Sequence, residues 1–221
     1  MSTYISNQEF MINVGFIVTT SHIENAIIMT NTQLQELPST LFQSIDYKTT
    51  SAMIGAIFCD TLATLTGSTV NPIEKGHPDI IPISGIGSPE HILRKYPEGL
   101  EIKCTVGNIK TGANLRAGET RISQLTGVTW QAHHREVKEL LGLVWDFIHN
   151  DTEFNYPTIT AAFYTNDLNP DDWGVISGTT GRNTKVTGMS ASGKIKMGKG
   201  CISLINKQDY LLKYKSIFKM A

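Results

Sequence analysis

HPDIIPISGIGSPEHILRKYPEGLEIKCTV, residues 77–106, is the stretch on which the fold turns. Asp79-Ile80-Ile81-Pro82-Ile83 is a short apolar run of strand composition, and Gly85 to Gly87 turn the chain. Ser88 as N-cap, Pro89 next and Glu90 early in the first turn predict a short helix reaching about Lys95. Pro97-Glu98-Gly99 is a second turn. Leu100 to Val106 then alternates apolar and polar residues, which predicts a strand. Side chains at i and i+2 of a strand share a face, so Glu101 and Lys103 project together while Ile102 and Cys104 face the other way. If the two strands pair as a hairpin-like unit, Asp79 reaches the same surface. Two carboxylates and one amine then form one cluster.

Outward from this pair, residues 49–66 predict a helix. Met53, Ile54, Ile57, Phe58, Leu62 and Leu65 recur at helical spacing, and Gly67 follows. Thr69-Val70-Asn71-Pro72 is strand-like as far as the proline. Before the helix, apolar runs at 12–18 and 23–29 are mixed with Thr, Asn and Ser, and 32–43 allows a short helix broken at Pro38. After Val106, residues 107–121 are a polar, basic, glycine-containing loop, and Leu125 to Gln131 is strand-like. From Glu136 to Phe147 the spacing of Val137, Leu140, Leu141, Val144 and Ile148 predicts an amphipathic helix. Thr158 to Tyr164 is an apolar strand. Trp173 to Ile176 and glycine-punctuated stretches over 178–205 suggest short strands and hairpins, and 208–218 a closing helix. The pattern predicts one α/β domain over 1–221, a central mixed β-sheet flanked by helices with a β-rich C-terminal extension.

The 221 residues suffice for one core without staples. Charged residues make up 18%, below the roughly 25% of ordinary globular chains, which argues against a disordered tail protein. No apolar run approaches the ~20 residues of a membrane span, and the polar opening MSTYISNQEF has no basic leader, so no membrane partner is expected. Cys59, Cys104 and Cys201 show no CxxC spacing, which predicts a reducing, cytoplasmic setting. The net charge of −1 hides an asymmetry. Residues 1–72 hold one base, Lys48, against Glu9, Glu24, Glu36, Asp46 and Asp60. Residues 182–219 hold nine bases against the single acid Asp209, a pointer to a polyanionic partner.

Two carboxylates can hold a hard cation such as Mg2+, which prefers oxygen ligands and retains waters. Such a cation polarises a phosphate and acidifies a bound water, and a lysine beside it can orient or deprotonate that water and offset developing charge. Phosphodiester hydrolysis needs this set. Pro78-Asp79, then 21 residues, then Glu101-x-Lys103 resembles the motif of the PD-(D/E)xK nuclease superfamily. The predicted order of elements over about 49–165 resembles that core as well: helix, strand, strand with the PD, strand with the ExK, helix, strand. The resemblance covers about five residues at the level of motif. It implies Asp79, Glu101 and Lys103 as catalytic residues, Asp79 and Glu101 as Mg2+ ligands, and a further acid on the preceding helix, Asp60, with Glu74 as the alternative. Size and layout look like a type II restriction endonuclease, which implies a homodimer, double-stranded DNA as substrate and a cognate DNA methyltransferase in the same genome. A structure-specific repair or junction-resolving nuclease of the same fold, and a non-catalytic DNA-binding module, are the alternatives.

DNA-binding proteins place most of their hydrogen bonds on phosphate and sugar, and Arg and Asn read guanine and adenine edges. Lys110, Asn114, Arg116 and Arg121 leave the Glu101–Lys103 strand and are expected near DNA. Arg182, Asn183, Lys185, Ser190, Ser192 and Lys194, in the basic part at about 178–221, suit groove insertion. His133 and His134 point in different directions and have no third ligand at zinc spacing, so a phosphate contact is their reading. His77 precedes Pro78-Asp79 and is placed to tune Asp79 or touch substrate. Gly188 to Lys194 fits the start of a P-loop, but Ile195 stands where a metal-binding Ser or Thr is required, and neither a preceding strand nor a following helix is expected. Cys104 reads as core, and Trp130, Trp145 and Trp173 as packing residues.

Overall fold

The computed structural model describes residues 3–74, 76–106, 108–110, 118–131, 137–149, 155–176 and 186–220. Strands β1 (Tyr4–Ser6), β2 (Met11–Asn13) and β3 (Ile17–Thr19) lead into helices α1 (Thr20–Glu36), α2 (Ser39–Ser44) and α3 (Tyr47–Thr66). Next come β4 (Thr69–Val70), β5 (Ile80–Ile81), the single turn α4 (Glu90–Leu93) and β6 (Glu101–Thr105). β7 (Asn108–Ile109), β8 (Leu125–Gly127) and β9 (Thr129–Gln131) are short, whereas β10 (Leu140–His149) and β11 (Asn155–Thr165) are long. β12 (Val186–Gly188), α5 (Ala191–Lys199), β13 (Cys201–Ile205) and α6 (Gln208–Phe218) complete the order.

The central sheet runs β1-β13-β11-β10-β6. Neighbours are antiparallel except β6, which lies parallel to β10. Two adjacent residues of β10 show that helices cover both faces. The Trp145 Nε1–H donates to Ser51 Oγ of α3 at 2.8 Å, while Asp146 accepts from the Tyr210 hydroxyl of α6 at 3.0 Å. α1 and α3 pack together on one face, with α5 and α6 on the other. The chain is therefore a mixed α/β protein with a central mixed sheet flanked by helices, as the sequence pattern predicts. Among the described residues no helix is long and apolar enough to cross a membrane.

Three expectations are corrected. The helix expected from Glu136 to Phe147 is strand β10. Residues 140–148 are apolar at nearly every position, so they satisfy a period of 3.6 and a period of 2 together. Every residue from Leu140 to Ile148 is buried, because the strand has a neighbour on each edge and a helix over each face. The apolar run at 12–18 falls on β2 and β3 and the run at 23–29 on α1, and the break expected at Pro38 is present, between α1 and α2. The start of α1 carries a capping box, with the Thr19 hydroxyl accepting from the His22 N–H and His22 Nδ1 accepting from the Thr19 N–H. A histidine in the place of the usual Glu or Gln hides that signature.

The described part of the C-terminal stretch is not β-rich. It alternates strand and helix, with β12 preceding α5 and β13 preceding α6. Gly193 reads as a breaker in sequence, yet it lies inside α5, where a Cβ would fall 2.4 Å from the Asp172 carbonyl oxygen. The glycine permits close packing there. A strand and a helix thus do flank Gly188 to Lys194. The helix begins at Ala191, however, and leaves only Met189 and Ser190 between them. No loop remains to wrap a phosphate.

Candidate active site

β6 is the edge strand of the sheet, with one side on β10 and the other side open to β5. The two strands touch by an antiparallel bridge between Ile80 and Leu100. The Ile80 N–H donates to the Leu100 carbonyl at 3.1 Å, and the Leu100 N–H to the Ile80 carbonyl at 2.9 Å. Gly99 makes the approach possible, since its φ is 137° and a Cβ would meet the Ile80 oxygen at 2.3 Å. Beyond the bridge the strands diverge. At the Ile102 N–H the Asp79 side chain takes the place of a backbone partner, with Oδ2 accepting at 2.8 Å. The expected juxtaposition of Asp79 with the Glu101–Lys103 strand is thus present.

The turn that presents Asp79 is tied down from three segments. The Asn71 N–H donates to the Asp79 carbonyl at 2.8 Å. The Asn71 Nδ2 amide spans the Pro78 carbonyl at 3.1 Å and the Leu93 carbonyl at 2.9 Å. The Tyr96 N–H donates to the His77 carbonyl at 2.7 Å. Asn71 is itself buried, so this amide gives both carbonyls a donor in a place closed to water.

Asp79, Glu101 and Lys103 line one cleft of about 840 Å³ between β6 and α3. Glu101 is 3% exposed, and His77 Nδ1 lies 3.2 and 3.1 Å from its two oxygens. Lys103 is half-buried. Burial pushes its ammonium below the ordinary lysine value, the Asp79 and Glu101 carboxylates oppose that shift, and Lys48 adds to it. Cys104 is buried against Gly55 of α3, where it forms part of the apolar wall of the same cleft. Burial holds its thiol far above the usual range.

Asp60 is exposed on α3 and lines the same cleft, whereas Glu74 is exposed outside it. Among the described residues no group of three or more His, Cys, Asp and Glu side chains is arranged to hold a metal ion. Asp60 therefore does not complete a three-acid set with Asp79 and Glu101. The arrangement offers two carboxylates. That suits Mg2+, which keeps several waters and takes one or two protein carboxylates.

The expected DNA contacts fare unevenly. Arg121 is a correction: it is 1% exposed and has no surface to offer a phosphate. Its backbone N–H and Nε–H donate to Asp146, and its guanidinium lies 4.3 Å from the Tyr47 ring centroid and 4.7 Å from that of Trp145. The β6 ladder on β10 ends at Val144, and just beyond it the Arg121 N–H donates to the Asp146 carboxylate. Lys110 is exposed. Ser190 caps α5 by accepting from the Gly193 N–H, and Ser192 donates to Asp172 at 2.7 Å. These two and the half-buried Lys194 do not line the cleft. Asn114, Arg116, His133, His134, Arg182, Asn183 and Lys185 lie outside the described residues.

Several cleft residues escaped the sequence reading, among them two on α3. Lys48 and Ser51, on the first turns of α3, face the same space as Lys103. The available signal was the run of small residues Ser51, Ala52, Gly55, Ala56 and Cys59, which lets β6 approach the helix closely. No protein-family model matches the chain, and no curated protein or solved structure gives a significant match.

Proposed function

We propose that this chain is a Mg2+-dependent deoxyribonuclease of the PD-(D/E)xK type, a type II restriction endonuclease acting on double-stranded DNA. One observation carries the reading. The Ile80–Leu100 bridge sets Asp79 on the backbone of the Glu101–Lys103 strand, so both halves of the motif open into one cleft.

Asp79 and Glu101 are the residues that would hold Mg2+. When bound, the cation neutralises phosphate charge and makes an attached water more acidic. Asp79 is oriented by the Ile102 N–H and Glu101 by His77, so neither carboxylate must reorganise to bind. Lys103, with its pKa lowered by burial, reaches the neutral amine more readily than an exposed lysine. Its Nζ accepts a proton from the attacking water as that oxygen forms a bond to phosphorus and the P–O bond to the leaving nucleotide breaks. The resulting ammonium then faces the developing charge on the phosphate.

Plasmid DNA incubated with the full chain and Mg2+ tests this reading. Discrete, reproducible fragments that disappear with a chelator, and with Asp79→Ala or Lys103→Ala, are the expected result. Nicking confined to branched or damaged substrates would shift the assignment to a repair or junction-resolving nuclease. Salt-sensitive binding without divalent-dependent cleavage would leave only a DNA-binding module.

A further inference from the structure

We propose that His77 is a positioning residue for Glu101: its imidazole holds the Glu101 carboxylate in the orientation in which it can take a divalent cation. The inference rests on the assignment of Glu101 as a cation ligand. The buried carboxylate loses most of its hydration, which is costly unless donors replace the water. His77 Nδ1 sits nearly midway between both oxygens, at 3.1 and 3.2 Å. An ionised carboxylate only accepts, so the shared proton belongs to Nδ1.

The ring is held in place by its own backbone. The His77 carbonyl is bonded to the Tyr96 N–H, and the neighbouring Pro78 carbonyl to Asn71. The imidazole also forms part of a wall between two spaces. It lines the cleft beside Lys103 and, with Glu101, a second cavity of about 460 Å³ that reaches Glu98 and Glu139. Glu101 could therefore swing toward either space, and the bond to His77 selects one orientation. Partners that orient ligating groups in this way typically change metal affinity about 10–100-fold when removed.

Mn2+ binding to the full chain, followed by the loss of the free-ion electron paramagnetic resonance signal, tests this without reference to catalysis. His77→Ala removes the donor, and His77→Leu removes it while filling the space of the ring. His77→Asn keeps an N–H at the position of Nδ1. We expect Mn2+ affinity to fall about tenfold or more in the Ala and Leu variants and to return to within about threefold of wild type in the Asn variant. Urea midpoints measured alongside separate this from loss of folding, with the Leu variant serving where the Ala variant does not fold. Wild-type affinity in the Leu variant, an Asn variant as weak as the Leu variant, or a wild-type chain that binds no Mn2+ overturns the proposal. Cation binding in the expected order by a chain that cuts no DNA sinks the nuclease reading and leaves the role of His77 standing. Cleavage with Mn2+ affinity indifferent to His77 does the reverse.

Discussion

Two charged groupings lie on neighbouring strands and are built on opposite terms. On β10, Asp146 is fully buried and accepts from the Arg121 backbone and Nε, the Phe147 N–H and the Tyr210 hydroxyl. Its partner guanidinium is stacked on aromatic rings. Burial pushes the Asp146 carboxyl upward, and the guanidinium and the surrounding donors act against it. On β6, Asp79, Glu101 and Lys103 open into a cleft, and the lysine is poorly solvated. The first grouping is closed inside the protein, where the Asp146 carboxylate is ringed by donors while Arg121 Nη2 is buried without a hydrogen-bond partner among the described residues. The second keeps part of its hydrogen-bonding capacity facing a space where a ligand can sit. Buried charge by itself marks neither stability nor chemistry; the deciding difference is whether the groups are closed off in the core or open onto a cleft.

The comparison breaks first at Asp146. Asp146→Ala leaves the Arg121 charge unpaired in the core and should cost about 3–5 kcal/mol in urea unfolding. Arg121→Met combined with Asp146→Leu should recover much of that loss, since an apolar pair of similar volume removes both desolvation costs. A single variant within about 1 kcal/mol of wild type would show that Asp146 does not hold the buried guanidinium charge as described.

Lys103→Met should behave in the opposite way. On the proposed nuclease reading, with Lys103 as general base, cleavage should fall by about a hundredfold or more, with no loss of stability. The pH dependence carries the sign. Burial lowers the pKa of Lys103 in the folded chain, so between the folded and unfolded values the unfolded chain binds more protons. Wild-type stability should rise with pH through that window, and the penalty should be fully present below the folded value. Lys103→Met should flatten the rise, as read from urea midpoints across neutral to alkaline pH. A flat wild-type curve, or a variant that loses stability at neutral pH, contradicts the desolvated lysine.

How much of this could be read in the sequence follows from which periodicities compete. β6 was legible because Glu and Lys alternate with Ile and Cys, a pattern with no helical reading. The pairing with Asp79 was legible because turns on both sides leave the chain few ways to return. β10 was not legible: a strand buried on both faces loses its alternation, and apolar residues at every position fit either period. Arg121 looked like a surface base because its partners, Asp146 and three aromatic rings, come from sites distant in the chain. Charge counting cannot tell a solvated arginine from one stacked in a core. His77 was placed near the chemistry on sequence position, and its Nδ1 lies against Glu101, a contact that strand alternation alone did not reveal.

The smallest effect is expected at Lys48, where the two groupings differ in surroundings more than in chemistry. It is exposed, lines the cleft, and is close enough to Lys103 to disfavour a second positive charge there. If DNA lies over the cleft, Lys48 contacts one phosphate. Lys48→Ala should then flatten the dependence of log affinity on log salt by about 0.9, the slope of a single phosphate contact, measured with a chelator present so that no DNA is cut. The same substitution removes the repulsion on Lys103, so the alkaline rise in the stability curve should move to slightly higher pH. The two effects have different origins, one in the counterions of the DNA and one in the free protein. An unchanged salt slope with a shifted pH curve would place the DNA elsewhere on the surface while keeping Lys48 beside Lys103. An unchanged pH curve would remove Lys48 from the electrostatics of the cleft altogether.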